Sequence, residues 1–248
     1  MVTNDLSNLQ KTSPNVSQIQ LVQFDLDGTL IDSLPQLWQA VNIMLKEQGF
    51  AQVNEQAVKH WVGNGADTLV ARALSYALGY TPSTDAQQIA RAGFDTAYAS
   101  LAGQDIVLYP GVQDTLRQLK AAGKTLALVT NKPYRFVPDI LASTGLGEYF
   151  SQTLGGDSLP LKKPHPAPLL QICARLNIAP MHSIMVGDSE NDVLAAKAAG
   201  MPVVGLTYGY NYGRNIADSD PDWVLDNISD LVELLVKNSA ERRAKPRQ

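Results

Sequence analysis

The sequence predicts an α/β fold, on two observations. Short apolar segments rich in β-branched residues recur at residues 21–26, 125–130, 183–187 and 202–207, with helical patterns between them. The interval 35–109, between the first two segments, is far longer than a parallel crossover requires. Its apolar residues repeat at helical spacing, which marks an inserted helical domain.

Each element carries its own signals. Residues 21–26 form an apolar run that breaks into a glycine turn at Gly28. In the insertion, helices are expected at 37–48, ended by Gly49, at 54–62, at 67–78, ended by Gly79, and at 85–101. Val112, Leu116 and Leu119 give 112–122 a helical stripe that stops at Gly123, just before the second strand. A proline opens 166–176, which carries Leu169, Leu170, Ile172 and Leu176, and 192–199 ends at Gly200. Parallel strands joined by such crossovers bind ligands beyond their carboxyl ends, where Asp25, Thr130 and Asp188 all fall. The expected organisation is a core of residues 19–34 and 105–236, a cap of residues 35–104, a loose polar extension over 1–18 and a tail over 237–248.

Composition narrows the function classes. With 248 residues and 45% hydrophobic content, the chain can bury a sizeable core. A formal charge of −4 argues against a mainly electrostatic attraction to nucleic acid or to an anionic membrane. No apolar run approaches the roughly 18 residues that a bilayer crossing needs. The lone cysteine, Cys173, cannot close an intramolecular disulfide and sits in an apolar helical pattern, as a core residue would. With a polar N-terminus that lacks a secretory pattern, it fits a reducing cytoplasm, and the expected state is a monomer or homodimer.

The chemistry centres on Phe24-Asp25-Leu26-Asp27-Gly28-Thr29-Leu30. If the strand ran through residue 27, its alternation would point Asp25 and Asp27 to one side, where both can hold one hard cation. A carboxylate nucleophile beside a second carboxyl group suggests that Asp25 attacks phosphorus while Asp27 handles the proton. An EF-hand fails on spacing, because its twelfth position counted from Asp25 is Gln36. Thr130 and Asn131 end the second strand with a hydroxyl and N–H groups suited to phosphoryl oxygens. In Lys162-Lys163-Pro164-His165-Pro166, Lys163 is placed to neutralise Asp25 and the incoming phosphate, while Lys162 is expected to face solvent.

Asp188 closes residues 183–187 and can reach the same cation as Asp25. Asp192, one helical turn on, can orient the neighbours of Asp188 or pair with Lys163, and Ser189 and Glu190 read as helix-capping groups. The turn Gly63-Asn64-Gly65, ahead of the 67–78 helix, can offer backbone N–H groups to an anion. His60, His165 and His182 have no metal-ligand spacing, and neither a P-loop nor a GxSxG elbow is present.

The ordered set Asp25/Asp27, Thr130, Lys163 and Asp188/Asp192 resembles the haloacid dehalogenase superfamily over residues 21 to about 235. The resemblance implies a Rossmann-like core with a helical cap inserted after the first motif. It also implies Mg²⁺ held by Asp25, Asp27 and Asp188, with Asp192 in support. A small phosphorylated substrate would be bound by Thr130, Asn131 and Lys163 and met from the cap by Gly63, Asn64 and Gly65. Asp27 sets the chain apart from the dehalogenase and phosphonate-cleaving branches. Within the superfamily, residues 61–67, Thr130-Asn131-Lys132-Pro133 and Thr207-Tyr208-Gly209-Tyr210-Asn211-Tyr212-Gly213 are similar to bacterial phosphoglycolate phosphatases. The same fold would also serve a phosphatase or phosphomutase for a sugar phosphate, nucleotide or pyrophosphate, or a non-catalytic phosphoester-binding protein.

Overall fold

The computed structural model describes residues 15–237. The chain runs through β1 (Leu21–Phe24) and β2 (Ile31–Asp32) into four helices, α1 (Leu34–Glu47), α2 (Glu55–Lys59), α3 (Ala66–Leu78) and α4 (Thr84–Leu101). It returns by β3 (Val107–Leu108) to α5 (Val112–Ala121), β4 (Thr125–Val129), α6 (Val137–Thr144) and β5 (Gln152–Leu154). The remainder is α7 (Ala167–Leu176), β6 (Ser183–Gly187), α8 (Glu190–Ala198), β7 (Val203–Leu206), β8 (Trp223–Leu225) and a last turn, α9 (Asp230–Val232). Among the described residues, no helix is long and apolar enough to cross a membrane.

Six strands form one parallel sheet in the order β5-β4-β1-β6-β7-β8. Counted along the chain, this is the 3-2-1-4-5-6 order of a Rossmann-like sheet, in which the crossover direction reverses beside the first strand. Alternate residues enter two separate cores. Val22, Phe24, Leu126, Leu128, Ile184 and Val186 pack on the face covered by α5 and α6, while Leu21, Ala127, Val129 and Met185 pack against α7 and α8. Burial on both faces explains the unbroken apolar runs. Each fully buried aliphatic side chain contributes roughly 1.5–3 kcal/mol.

The helical insertion is tied off by a ladder too short to read from sequence. Ile31 and Asp32 of β2 pair antiparallel with Leu108 and Val107 of β3, so the chain enters and leaves α1–α4 through one narrow neck. The helices lie within one to three residues of expectation at most ends. Among the largest differences is α2, which stops at Lys59 rather than 62, with Asn54 accepting from the Ala57 N–H as its N-cap. In α7, Leu169, Ile172 and Cys173 are buried but Leu170 is 38% exposed, so the buried stripe is narrower than its sequence suggests.

Three expectations are corrected. The first strand stops at Phe24. Beyond it the Leu26 carbonyl accepts from the N–H groups of Thr29, Leu30 and Ile31, closing a tight turn, so Asp25 and Asp27 are not alternate residues of one strand. The edge strands β5 and β8 and helix α6 lacked a pattern strong enough to predict. The polar extension expected over 1–18 lies partly outside the described residues. Its described end forms a 3₁₀ turn, Val16–Gln18, capped by Asn15, and Val16 is buried against the core. Of the tail expected over 237–248, residues 238–248 lie outside the described residues.

The fully buried Leu128, in a central strand, offers a direct check on this core. Leu128→Ala is expected to lower unfolding stability by about 2–5 kcal/mol in chemical denaturation, whereas a loss below about 1 kcal/mol would contradict a close-packed sheet interior.

Candidate active site

The carboxyl ends of β1, β4 and β6 deliver Asp25, Thr130 and Asp188 to one place beside the reversal of strand order. Carboxylate oxygens of Asp25, Asp188 and Asp192 lie within 4.8 Å of one another. Lys163 is buried among them, its Nζ 3.0 Å from Asp25 Oδ1 and 2.6 Å from Asp192 Oδ1. The other oxygen of Asp192 accepts from the backbone N–H and the hydroxyl of Ser189, which caps α8. Asp192 thus holds Lys163 with one oxygen and the α8 cap with the other, and it positions the lysine beside Asp25.

Asp188 is fixed from two sides. Thr29 Oγ1 donates to its Oδ1 at 2.8 Å, and the Tyr210 N–H donates to its Oδ2 at 2.8 Å. Gly28, at φ +85°, and Gly209 approach so closely that a Cβ on either would strike the Asp188 carboxylate, so both must be glycine.

Electrostatics at this point are adverse for anions. Burial, helped by Asp192 and Asp27 and opposed by Lys163, pushes Asp25 up to about 7. Burial, then Asp25 and Asp192, raises Asp188 well above the usual carboxylate range. Burial works against the Lys163 ammonium, yet Asp192 and Asp25 outweigh it and hold the lysine above its ordinary value.

Asp27 faces another way. Its Oδ1 accepts from Ser33 Oγ at 2.5 Å and from Lys132 Nζ at 2.8 Å. The side chain therefore lies outside the group formed by Asp25, Asp188 and Asp192, because the turn after Phe24 redirects it. Asp25, Asp27, Thr130 and Lys132 line a small cavity of about 50 Å³. The insertion closes it with Val62, Leu69, Phe94 and Tyr98 and with the turn at Gly63 and Gly65.

A family model described as haloacid dehalogenase-like hydrolase matches residues 22–206. The chain belongs to the haloacid dehalogenase-like hydrolases. It is 49% identical over 221 residues to a phosphoglycolate phosphatase of Psychrobacter arcticus, covering 88% of this chain and 96% of that one. It is 48% identical, over 88% and 97%, to a phosphoglycolate phosphatase of Vibrio vulnificus. A crystal structure of a predicted phosphoglycolate phosphatase from Haemophilus somnus superposes with a TM-score of 0.84 at 44% identity, covering 88% of this chain and 98% of that one. This hydrolase is therefore an enzyme of the phosphatase type, with a Rossmann-like core and an inserted helical cap.

The remaining site residues of the hydrolase divide between cavity and scaffold. Thr130 is buried at the cavity wall, its oxygen accepting from the Lys132 N–H at 3.1 Å. Asn131 Nδ2 donates to the carbonyls of Gly63 and Lys163, so it ties the cap turn to the core. Asn191 Nδ2 donates to the same Gly63 carbonyl at 3.0 Å and to the Tyr212 hydroxyl at 2.7 Å. Asn64 does not line the cavity and lies 3.4 Å from Asn191 Oδ1. Lys162, expected in solvent, is half-buried with its Nζ against Gly65. Glu190 pairs with Arg214 at 2.6 Å.

Sequence reasoning gave no role to Lys132, Ser33 or Thr29, and it picked out the tyrosine loop, residues 207–213, only as a point of resemblance. Their partners are set by the fold, and no period or spacing marks them. In that loop, Tyr208 OH donates to the Thr29 carbonyl and Tyr210 OH donates to Asp32 Oδ1. Tyr210 OH also accepts from the N–H groups of Ser33 and Leu34, where the chain enters the cap.

An all-oxygen pair of buried carboxylates, each raised by burial and like charge, fits a hard divalent cation such as Mg²⁺. Without an ion, the folded state keeps protons on Asp25 and Asp188 at pH values where the unfolded chain has lost them. Metal-free stability should therefore fall as pH rises from about 4 through 7. Added Mg²⁺ is expected to raise the melting temperature more at pH 8 than at pH 5.5; equal shifts at both would count against a site of these two carboxylates. Tyr210→Phe strips the buried Ser33 N–H of its partner and is expected to cost about 1–3 kcal/mol of unfolding stability. A change within about 0.5 kcal/mol would mean that this hydroxyl does not hold the entry to the cap.

Proposed function

We propose that the enzyme hydrolyses 2-phosphoglycolate to glycolate and phosphate through an aspartyl-phosphate on Asp25. The observation that carries the reading is the placement of Asp25 between a buried lysine and a small cavity, with a second carboxyl group, Asp27, on the wall of that cavity. The phosphoglycolate phosphatase relatives, nearly half-identical in sequence and matched over 96% and 97% of their own length, support the substrate.

Asp25 attacks phosphorus in line, while the Thr130 hydroxyl and Lys163 stabilise the charge on the phosphoryl oxygens. Asp27, with Oδ1 held by Ser33 and Lys132, uses Oδ2 to give a proton to the leaving alkoxide. The same oxygen then takes a proton from the water that opens the acyl phosphate. Asp25 and Asp188 would hold Mg²⁺, which would supply charge neutralisation between nucleophile and phosphate. Residues 35–104 act as a cap over the core residues 19–34 and 105–236, and the turn 63–65 meets the substrate carboxylate. The small apolar remainder of the cavity suits a short leaving group and keeps bulk water out.

A panel of small phosphate monoesters, assayed with Mg²⁺ and after chelation, tests this directly. Fastest turnover of 2-phosphoglycolate, lost on chelation and restored by Mg²⁺, is expected. A clear preference for a sugar phosphate, nucleotide or pyrophosphate would replace the substrate assignment. Asp25→Asn is expected to lower kcat by roughly 10³-fold or more in a folded protein, because the covalent step has no substitute nucleophile.

A further inference from the structure

Lys132 is the cationic residue among those that line the cavity. Its side chain is 3% exposed, and its Nζ lies 4.7 Å from the ring centroid of Tyr98, which the cap contributes from α4. Its hydrogen-bond acceptor among the described residues is Asp27 Oδ1, at 2.8 Å. An ammonium has three N–H donors, so the bond to Asp27 leaves donor capacity at the cavity wall, where the Tyr98 side chain also adjoins it.

The position of that space matters. Asp25, Thr130 and Lys163 mark the phosphoryl end of the site, and Asp27 marks the leaving-group oxygen. Lys132 pairs with Asp27, whereas Lys163 pairs with Asp25, and the cavity that Lys132 lines also includes Leu37, Leu69 and Phe136. The cap residues on the cavity wall carry no cation, and the first N–H groups of α3, which starts at the cavity, have no side-chain cap. A leaving group with a second anionic group, set close to the bridging oxygen, meets the Lys132 ammonium from the core and the turn 63–65 from the cap.

We propose that Lys132 is the specificity-determining residue of this enzyme, recognising a carboxylate on the leaving group by a charge-assisted hydrogen bond and so selecting 2-phosphoglycolate over neutral esters of the same size. This rests on the substrate reading above. The competing cation is Lys162, whose Nζ lies against Gly65 without lining the cavity.

The test compares kcat/KM for 2-phosphoglycolate with that for 2-hydroxyethyl phosphate, which replaces the carboxylate by an alcohol, and reads the ratio of the two. Wild-type enzyme is expected to favour the acid. Lys132→Met should cut the ratio roughly 10- to 100-fold, the size of a charge-assisted hydrogen bond, whatever the absolute rates. Lys132→Arg should keep most of the ratio, and Lys162→Gln should leave it unchanged. Lys132→Gln, which retains length, serves if the methionine variant does not fold. Equal losses on both substrates, with the ratio preserved, would overturn the proposal and leave Lys132 acting through Asp27 alone. A ratio that collapses in Lys162→Gln would move recognition to that lysine. A wild-type enzyme without preference for the acid would remove the substrate reading together with the role, whereas a preference that survives in Lys132→Met removes only the role.

Discussion

Asp25, Asp188 and Asp192 are packed within 4.8 Å of one another in a largely desolvated setting, and much of the surrounding architecture answers that repulsion. Lys163 supplies one buried positive charge, shared between Asp25 and Asp192. The Ser189 cap absorbs the second oxygen of Asp192, and Thr29 and the Tyr210 N–H hold both oxygens of Asp188. What is left over is a deficit of positive charge between Asp25 and Asp188, a setting that fits a divalent cation.

The cap is wired to this cluster through few contacts. The Gly63 carbonyl accepts from Asn131, on the loop that carries Thr130, and from Asn191, on the helix that follows Asp188. Tyr208, Tyr210 and Tyr212 come from one loop and touch, in turn, the turn after β1, the entry to α1 and the Asn191 amide that holds the cap. Movement of the insertion about the β2–β3 neck therefore cannot be independent of the side chains that fix Asp188.

Legibility from sequence followed burial. The strands at 125–129, 183–187 and 203–206 stood out because both faces of each are covered and the runs are continuously apolar. The two-residue strands of the neck and the half-exposed edge strands β5 and β8 carry no such run. Asp25, Thr130, Lys163 and Asp188 were identifiable because strand ends and a proline-bounded turn are local features. The orientation of Asp27 was not, since it depends on a strand that stops two residues early.

The amino-acid order alone settled the alternation of strands and helices, the long helical insertion and the identity of the charged residues at the strand ends, because each follows from periodicity or turn chemistry within a few residues. Which oxygen meets which cation was decided only by tertiary structure. Lys132 and Asp27 are 105 positions apart, and Thr29 and Asp188 are 159 apart, so their pairing exists only once the sheet has brought the loops together and burial has made an unpaired charge too costly to keep.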